Sequence, residues 1–172
     1  MNWQILSKCF CDEEIQALRS RAKEVRDACL LVNKLHLNDI DVNIDILLFK
    51  NLIELECMDY PYPINFDSLT NLIKLNCRNC KVSSINLPRL QILKCDDTEI
   101  KEVNHLTTLR KLICRNCDIE NITLPYLKKL KSGMTNLRYI DAPNLEYLDC
   151  GECDNIDFLR SLPKLRTFYY CH

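Results

Sequence analysis

From residue 32 onward the chain repeats itself every 18 to 20 residues. Leu72, Leu75, Cys77, Cys80 and Val82 are matched, position for position, by Leu109, Leu112, Cys114, Cys117 and Ile119. The match continues from Ile85, Leu87 and Pro88 into Ile122, Leu124 and Pro125. Taking the first apolar residue of each unit as an anchor gives Val32, Leu52, Leu72, Leu90, Leu109, Leu127, Leu145 and Leu165. A unit this short cannot enclose an apolar core by itself, so its neighbours must cover it, and the chain must stack into one elongated solenoid.

Within a unit the first, fourth and sixth positions are apolar, the ninth is small or apolar, and the eleventh is usually apolar. This pattern resembles the leucine-rich repeat, L-x-x-L-x-L-x-x-N/C-x-L, over about four fifths of the chain. The resemblance implies a short strand in each unit with its fourth and sixth side chains pointing inward. Strand and turn take about 11 residues of each unit, which leaves too few for a helix of about 10 on the other side. An extended or 3₁₀ convex face is therefore expected. Pro88, Pro125, Pro143 and Pro163, each two residues before the next anchor, suit such a path because proline needs no ladder hydrogen bond. The Leu-Pro-x-Leu phrase is similar to short repeats of bacterial effector proteins and of leucine-rich-repeat proteins from giant amoebal viruses.

Residues 1–31 do not repeat. Ile15, Leu18, Ala22, Val25 and Cys29 fall at helical spacing, with Glu13 and Glu14 near the start, which predicts one amphipathic helix beginning near Asp12. The expected architecture is an α/β repeat solenoid. It has parallel strands on its concave face, about eight units over 32–172, and an N-terminal helical cap over 1–31 that covers the first strand.

Two compositional extremes test this reading: 12 cysteines and only two glycines in 172 residues. So few glycines argue against phosphate-binding loops and propellers. The first residues lack the pattern of a signal peptide and no run reaches about 18 apolar residues, so a reducing cytoplasm is expected, that of the host if the protein is viral, with no membrane association. Three Cys-x-x-Cys pairs, Cys77/Cys80, Cys114/Cys117 and Cys150/Cys153, suggest zinc or thiol-redox chemistry when taken alone. Register reassigns them to the sixth and ninth positions, where Cys57, Cys77, Cys95 and Cys114 form a buried ladder. With strands about 4.8 Å apart, Cys77 and Cys114 stand roughly 9.6 Å apart, too far to share an ion that bonds sulfur at about 2.3 Å. The ninth position alternates Cys80, Thr98, Cys117, Thr135 and Cys153, small donors suited to buried turn carbonyls. No cofactor and no metal are expected. Cys9, Cys11 and Cys171 lie outside the ladder and are the more reactive candidates.

The third, fifth and seventh positions face outward on the concave sheet. In units three to six they carry seven positive charges and one negative, a local +6 on a chain of net charge −1. The candidate partner-binding residues are Lys74, Arg78, Ile92, Lys94, Lys111, Ile113, Arg115, Lys129, Lys131 and Tyr147, with Ile92 and Ile113 side by side as a small apolar anchor. This describes a non-catalytic protein-interaction module with an acidic partner. No nucleophile, carboxylate pair or phosphate loop is arranged for catalysis. The alternatives are a zinc-binding or thiol-redox protein, or a nucleic-acid binder, which the lack of stacking aromatics in these units disfavours. The last strand, with Leu165, Tyr169 and Tyr170, offers an edge, so a monomer or a weak homodimer through that edge is expected. Gly133 and Gly151 share the seventh position of adjacent units and mark a bare spot beside Lys131 and Asp149.

Overall fold

The structure is a computed structural model that describes residues 1–151, 159 and 161–170. Ten three-residue strands are present among the described residues. They are β1 (Lys34–His36), β2 (Glu54–Glu56), β3 (Lys74–Asn76), β4 (Ile92–Lys94), β5 (Lys111–Ile113), β6 (Asn121–Thr123), β7 (Lys129–Lys131), β8 (Tyr139–Asp141), β9 (Tyr147–Asp149) and β10 (Thr167–Tyr169). Eight of these form one parallel sheet in the order β1-β2-β3-β4-β5-β7-β9-β10. Each of the eight begins two residues after one of the eight anchors. The fourth positions stand in register, Leu35 on Leu55 on Leu75 on Leu93 on Leu112 on Leu130 on Leu148 on Phe168, and all but Phe168 are buried.

The ladder extends beyond the formal strands. The sixth-position N–H donates to the fifth-position carbonyl of the next unit, as from Cys57 to Asn76 at 2.8 Å and from Cys95 to Ile113 at 2.8 Å. The eighth-position N–H donates to the next seventh-position carbonyl, as from Asp59 to Arg78 at 3.0 Å. To turn back into the core after the strand, the eighth residue adopts a left-handed backbone. These residues are Asp39, Asp59, Asn79, Asp97, Asn116 and Met134, with φ between 51° and 60°. Asp and Asn enter this region more readily than other residues with side chains, so the turns proceed without glycine. Their side chains also link units, Asn79 Nδ2 donating to Asp59 Oδ1 at 2.6 Å and Asn116 Nδ2 to Asp97 Oδ1 at 2.8 Å.

The convex side is extended and turn-rich, as expected. Ile46–Leu48 is a 3₁₀ turn, and β6 and β8 form a second, two-stranded parallel sheet. Before each proline-marked anchor the chain makes a four-residue turn, with Leu90 N–H donating to Leu87 C=O and Leu127 N–H to Leu124 C=O, each at 3.2 Å. Pro88 and Pro125 occupy the second turn position, where a fixed φ is favourable and no donor is required.

The single helix expected after Asp12 is divided. The cap contains α1 (Trp3–Leu6), α2 (Asp12–Arg21) and α3 (Val25–Leu31), with an extended break around Ala22 and Glu24. A helix over all 20 residues would be about 30 Å long. Breaking it lets α2 and α3 pack on each other while Ile15, Ala22, Ala28 and Cys29 all enter the core. The Glu14 carboxylate accepts the Cys11 N–H at 2.9 Å and fixes the start of α2. No helix among the described residues is long and apolar enough to cross a membrane.

Met134 is exposed and is the one left-handed residue in this series that is neither Asp nor Asn. Met134→Asn should raise stability by about 0.5–1 kcal/mol, because asparagine fits the left-handed region at lower strain. Chemical denaturation of the two proteins measures the difference.

Candidate functional site

Register decides how the concave charges meet. Glu54 lies between Lys34 and Lys74 and pairs with both, at 3.3 and 2.7 Å. The Lys74 ammonium, then the Lys34 ammonium, hold its carboxyl below the usual range against a smaller opposing effect of burial. Arg78 pairs with Asp96 at 2.9 Å. Arg115 reaches across a whole unit to Asp149 at 2.8 Å, and Lys131 meets the same carboxylate at 3.5 Å while lying 5.5 Å from the centre of the Tyr147 ring. Four of the seven candidate cations therefore have a carboxylate. Lys94, Lys111 and Lys129 have none among the described residues.

These three occupy successive strands of the sheet. Lys111 is the direct neighbour of Lys129, and Lys94 is diagonal to Lys111 across the β4–β5 pair. Like charges directly opposed on a sheet destabilise it. Partial burial lowers the Lys111 ammonium's hold on its proton, and Lys94, Lys129, Lys131 and Arg78 lower it further. Lys111 separates two shallow depressions. One, of about 280 Å³, includes Glu54, Asn76, Ile92 and Lys94. The other, of about 260 Å³, is formed with Leu112, Lys129, Lys131 and Tyr147. The Asn76 amide oxygen is buried there without a hydrogen-bond partner.

The isoleucine anchor takes a different form from that expected. Ile92 stands opposite Lys111, and Ile113 stands opposite Lys94, so the two are diagonal. Ile113 is only 5% exposed. Ile92, half-buried, is the apolar side chain left open to a partner. Tyr147 is also half-buried, with its ring 5.6 Å from that of Tyr169 on β10. Phe168 stacks on Tyr170 at 6.1 Å. The counter-charges Glu54 and Asp149 were not among the sequence candidates. The Glu54–Lys74 pair was readable, since both occupy the third position of adjacent units, whereas the unit-skipping Arg115–Asp149 bridge was not.

Gly133 has a packing role. A Cβ there would stand 2.9 Å from the Gly151 carbonyl oxygen, which accepts the Met134 N–H at 3.1 Å. The Arg115 bridge passes from unit five to unit seven over the unit that contains Gly133. The bare spot is therefore where two backbones approach closely.

Behind the sheet lie the cysteines. Cys57, Cys77, Cys95, Cys114 and Cys150 fill the sixth position with no exposed surface, and Ser132 takes that place in unit six. The ninth-position donors serve turn carbonyls as expected. Cys80 and Cys117 donate to the sixth-position carbonyls of the preceding unit, Cys57 and Cys95, while Thr98 and Thr135 donate within their own units, to Cys95 and Ser132. Hydrogen bonds between paired thiols, reinforced by burial, push Cys57 and Cys95 well above the usual thiol range. The same bond draws Cys117 down to about 7. Burial raises Cys77, and burial with Cys29 nearby pushes Cys9 up to about 11. Among the expected reactive thiols Cys11 alone is exposed, and Cys171 lies outside the described residues, as does Cys153. Among the described residues no group of three or more His, Cys, Asp or Glu side chains is arranged to hold a metal ion.

No protein-family profile matches the sequence, and no curated protein matches it. Solved structures do resemble the fold. The functional domain of InlJ from Listeria monocytogenes, which includes a cysteine ladder, is similar with a TM-score of 0.66 at 20% identity, over 86% of this chain and 41% of that one. Internalin C2 from the same organism is similar with a TM-score of 0.66 at 17% identity, over 95% of each chain. This chain folds as a leucine-rich-repeat solenoid. It spans less than half the length of the InlJ domain, and at these identities the likeness concerns the fold.

Two expectations follow for the leucine-rich-repeat core. Gly133→Ala should lower stability by about 1–3 kcal/mol, since the backbone of unit seven has to give way. Thermal or denaturant unfolding measures this. With native protein, a bulky thiol reagent followed by peptide mapping should label Cys11 first, and Cys57, Cys77, Cys80, Cys95, Cys114, Cys117 and Cys150 only after unfolding, because thiolate character without access does not give reactivity.

Proposed function

We propose that the solenoid is a non-catalytic protein-interaction module whose concave sheet takes an acidic partner at β4, β5 and β7. The observation that carries this reading is the separation of charges. Among the described residues Lys94, Lys111 and Lys129 have no counter-ion, while Arg78 and Arg115 are each matched to a carboxylate. A sheet kept only for solubility has no need of a directly opposed lysine pair, and a partner's carboxylates would relieve it. Ile92 and the Tyr147 ring supply apolar contact at either side of the lysines.

The nucleic-acid reading is weaker. Glu54 and Glu56 on one side and Asp149 on the other bound the lysines, so a chain of phosphates would meet carboxylates within a few strands. A thiol-redox or zinc reading finds Cys77, Cys80, Cys114, Cys117 and Cys150 buried in the core.

A fluorescent glutamate-rich peptide tests the proposal by polarisation across a salt series. The triple variant Lys94→Glu, Lys111→Glu, Lys129→Glu should bind at least ~10-fold more weakly, while Lys8→Glu, Lys50→Glu, Lys81→Glu, which alters exposed lysines elsewhere, should bind within about twofold of the parent. Equal weakening by both triples, or no binding by the parent, refutes the concave site.

A further inference from the structure

An unpaired lysine group this compact fits one concentrated anion better than scattered carboxylates. We propose that the concave face recognises a phosphorylated side chain within an extended segment of a partner protein, its phosphoryl group held by Lys94, Lys111 and Lys129 beside Tyr147. This deepens the reading of the concave sheet as the partner surface and depends on it.

Charge and valence are the first argument. A phosphoryl group carries −1.5 to −2 charges and three strong acceptor oxygens, so it can meet three ammonium groups at once. A carboxylate brings one charge and two oxygens. Arg78 and Arg115 are each ion-paired, to Asp96 and Asp149, which leaves the compact, rotatable ammonium groups for the ligand.

Extent is the second argument. The three lysines span two strand-to-strand steps, about 9.6 Å, and carboxylates lie on both sides. That width suits a single phosphoryl group and is too narrow for a polyphosphate track. An anionic lipid surface broad enough to cover the lysines would also cover Glu54, Glu56 and Asp149, whose carboxylates repel it. A single phosphoryl group on a protein segment avoids them. The depression that includes Lys94 and Lys111 also presents the unpartnered Asn76 amide oxygen, an acceptor for a backbone N–H of an extended chain.

The test uses the full chain and three Gly/Ser heptapeptides with a central phosphoserine, glutamate or serine, titrated at low ionic strength with inorganic phosphate as competitor. The phosphoserine peptide should bind at least ~10-fold more tightly than the glutamate peptide, the serine peptide should not bind, and inorganic phosphate should displace the phosphopeptide. Lys111→Met should weaken phosphopeptide binding at least ~10-fold while raising the melting temperature, because it removes the charge between Lys94 and Lys129. Lys129→Met should do the same.

Equal binding of the glutamate and phosphoserine peptides overturns the phosphoryl assignment and leaves the acidic-partner reading in place. Phosphopeptide binding unchanged in both lysine variants overturns the assignment of this site. Tighter binding to phosphoinositide-containing vesicles than to the phosphopeptide, lost in Lys111→Met, replaces the protein segment with a membrane surface.

Discussion

The structure depends on a mutual obligation between units: each buries side chains that only its neighbours can cover. A fourth-position leucine such as Leu93 has no core of its own and is enclosed by Leu75 and Leu112 on either side. Stability in such an array is close to a sum of unit and nearest-neighbour contributions. Register is therefore the quantity that must be conserved along the chain. The left-handed eighth residue maintains it by returning every strand to the core at the same angle. The Asn79–Asp59 and Asn116–Asp97 contacts then tie one turn to the next.

Once register is fixed, the cysteines follow from packing. A sixth-position side chain has to lie buried behind a three-residue strand, and a thiol suits that place because it is compact and largely apolar while donating weakly to a neighbouring carbonyl. The same position accepts Leu37 in unit one and Ser132 in unit six, both buried. The ladder is consequently a packing motif. Its thiols differ in acidity because each hydrogen-bonded pair favours a negative charge on one partner over the other.

Much of this was readable in the sequence because it depends on spacing. The eight anchors placed eight strands without error, and the Cys/Thr alternation at the ninth position anticipated the donors to Cys57, Cys95 and Ser132. What could not be read depended on the third dimension. The period of Ile15, Leu18, Ala22, Val25 and Cys29 is the same for one helix as for two that fold against each other. Alternation alone puts Ile113 outside, yet its neighbours on the inner curve bury it. The concave face looked basic because its carboxylates, Glu54, Asp96 and Asp149, come from units two, four and seven, and because Arg115 reaches past its adjacent unit to find one. Only with those pairs in place do three of the seven cations stand apart.

That reach has its own consequence. Contacts in a repeat array ordinarily stop at the adjacent unit, but the Arg115–Asp149 clasp joins unit five to unit seven on the inner face. The β6–β8 ribbon stitches the outer side of the same stretch. Units five and six are thus joined on both surfaces, and unit seven is tied to unit five on the inner face alone. Lys111 and Lys129 face each other across that doubly joined step, so their mutual repulsion acts where the array is most cross-linked.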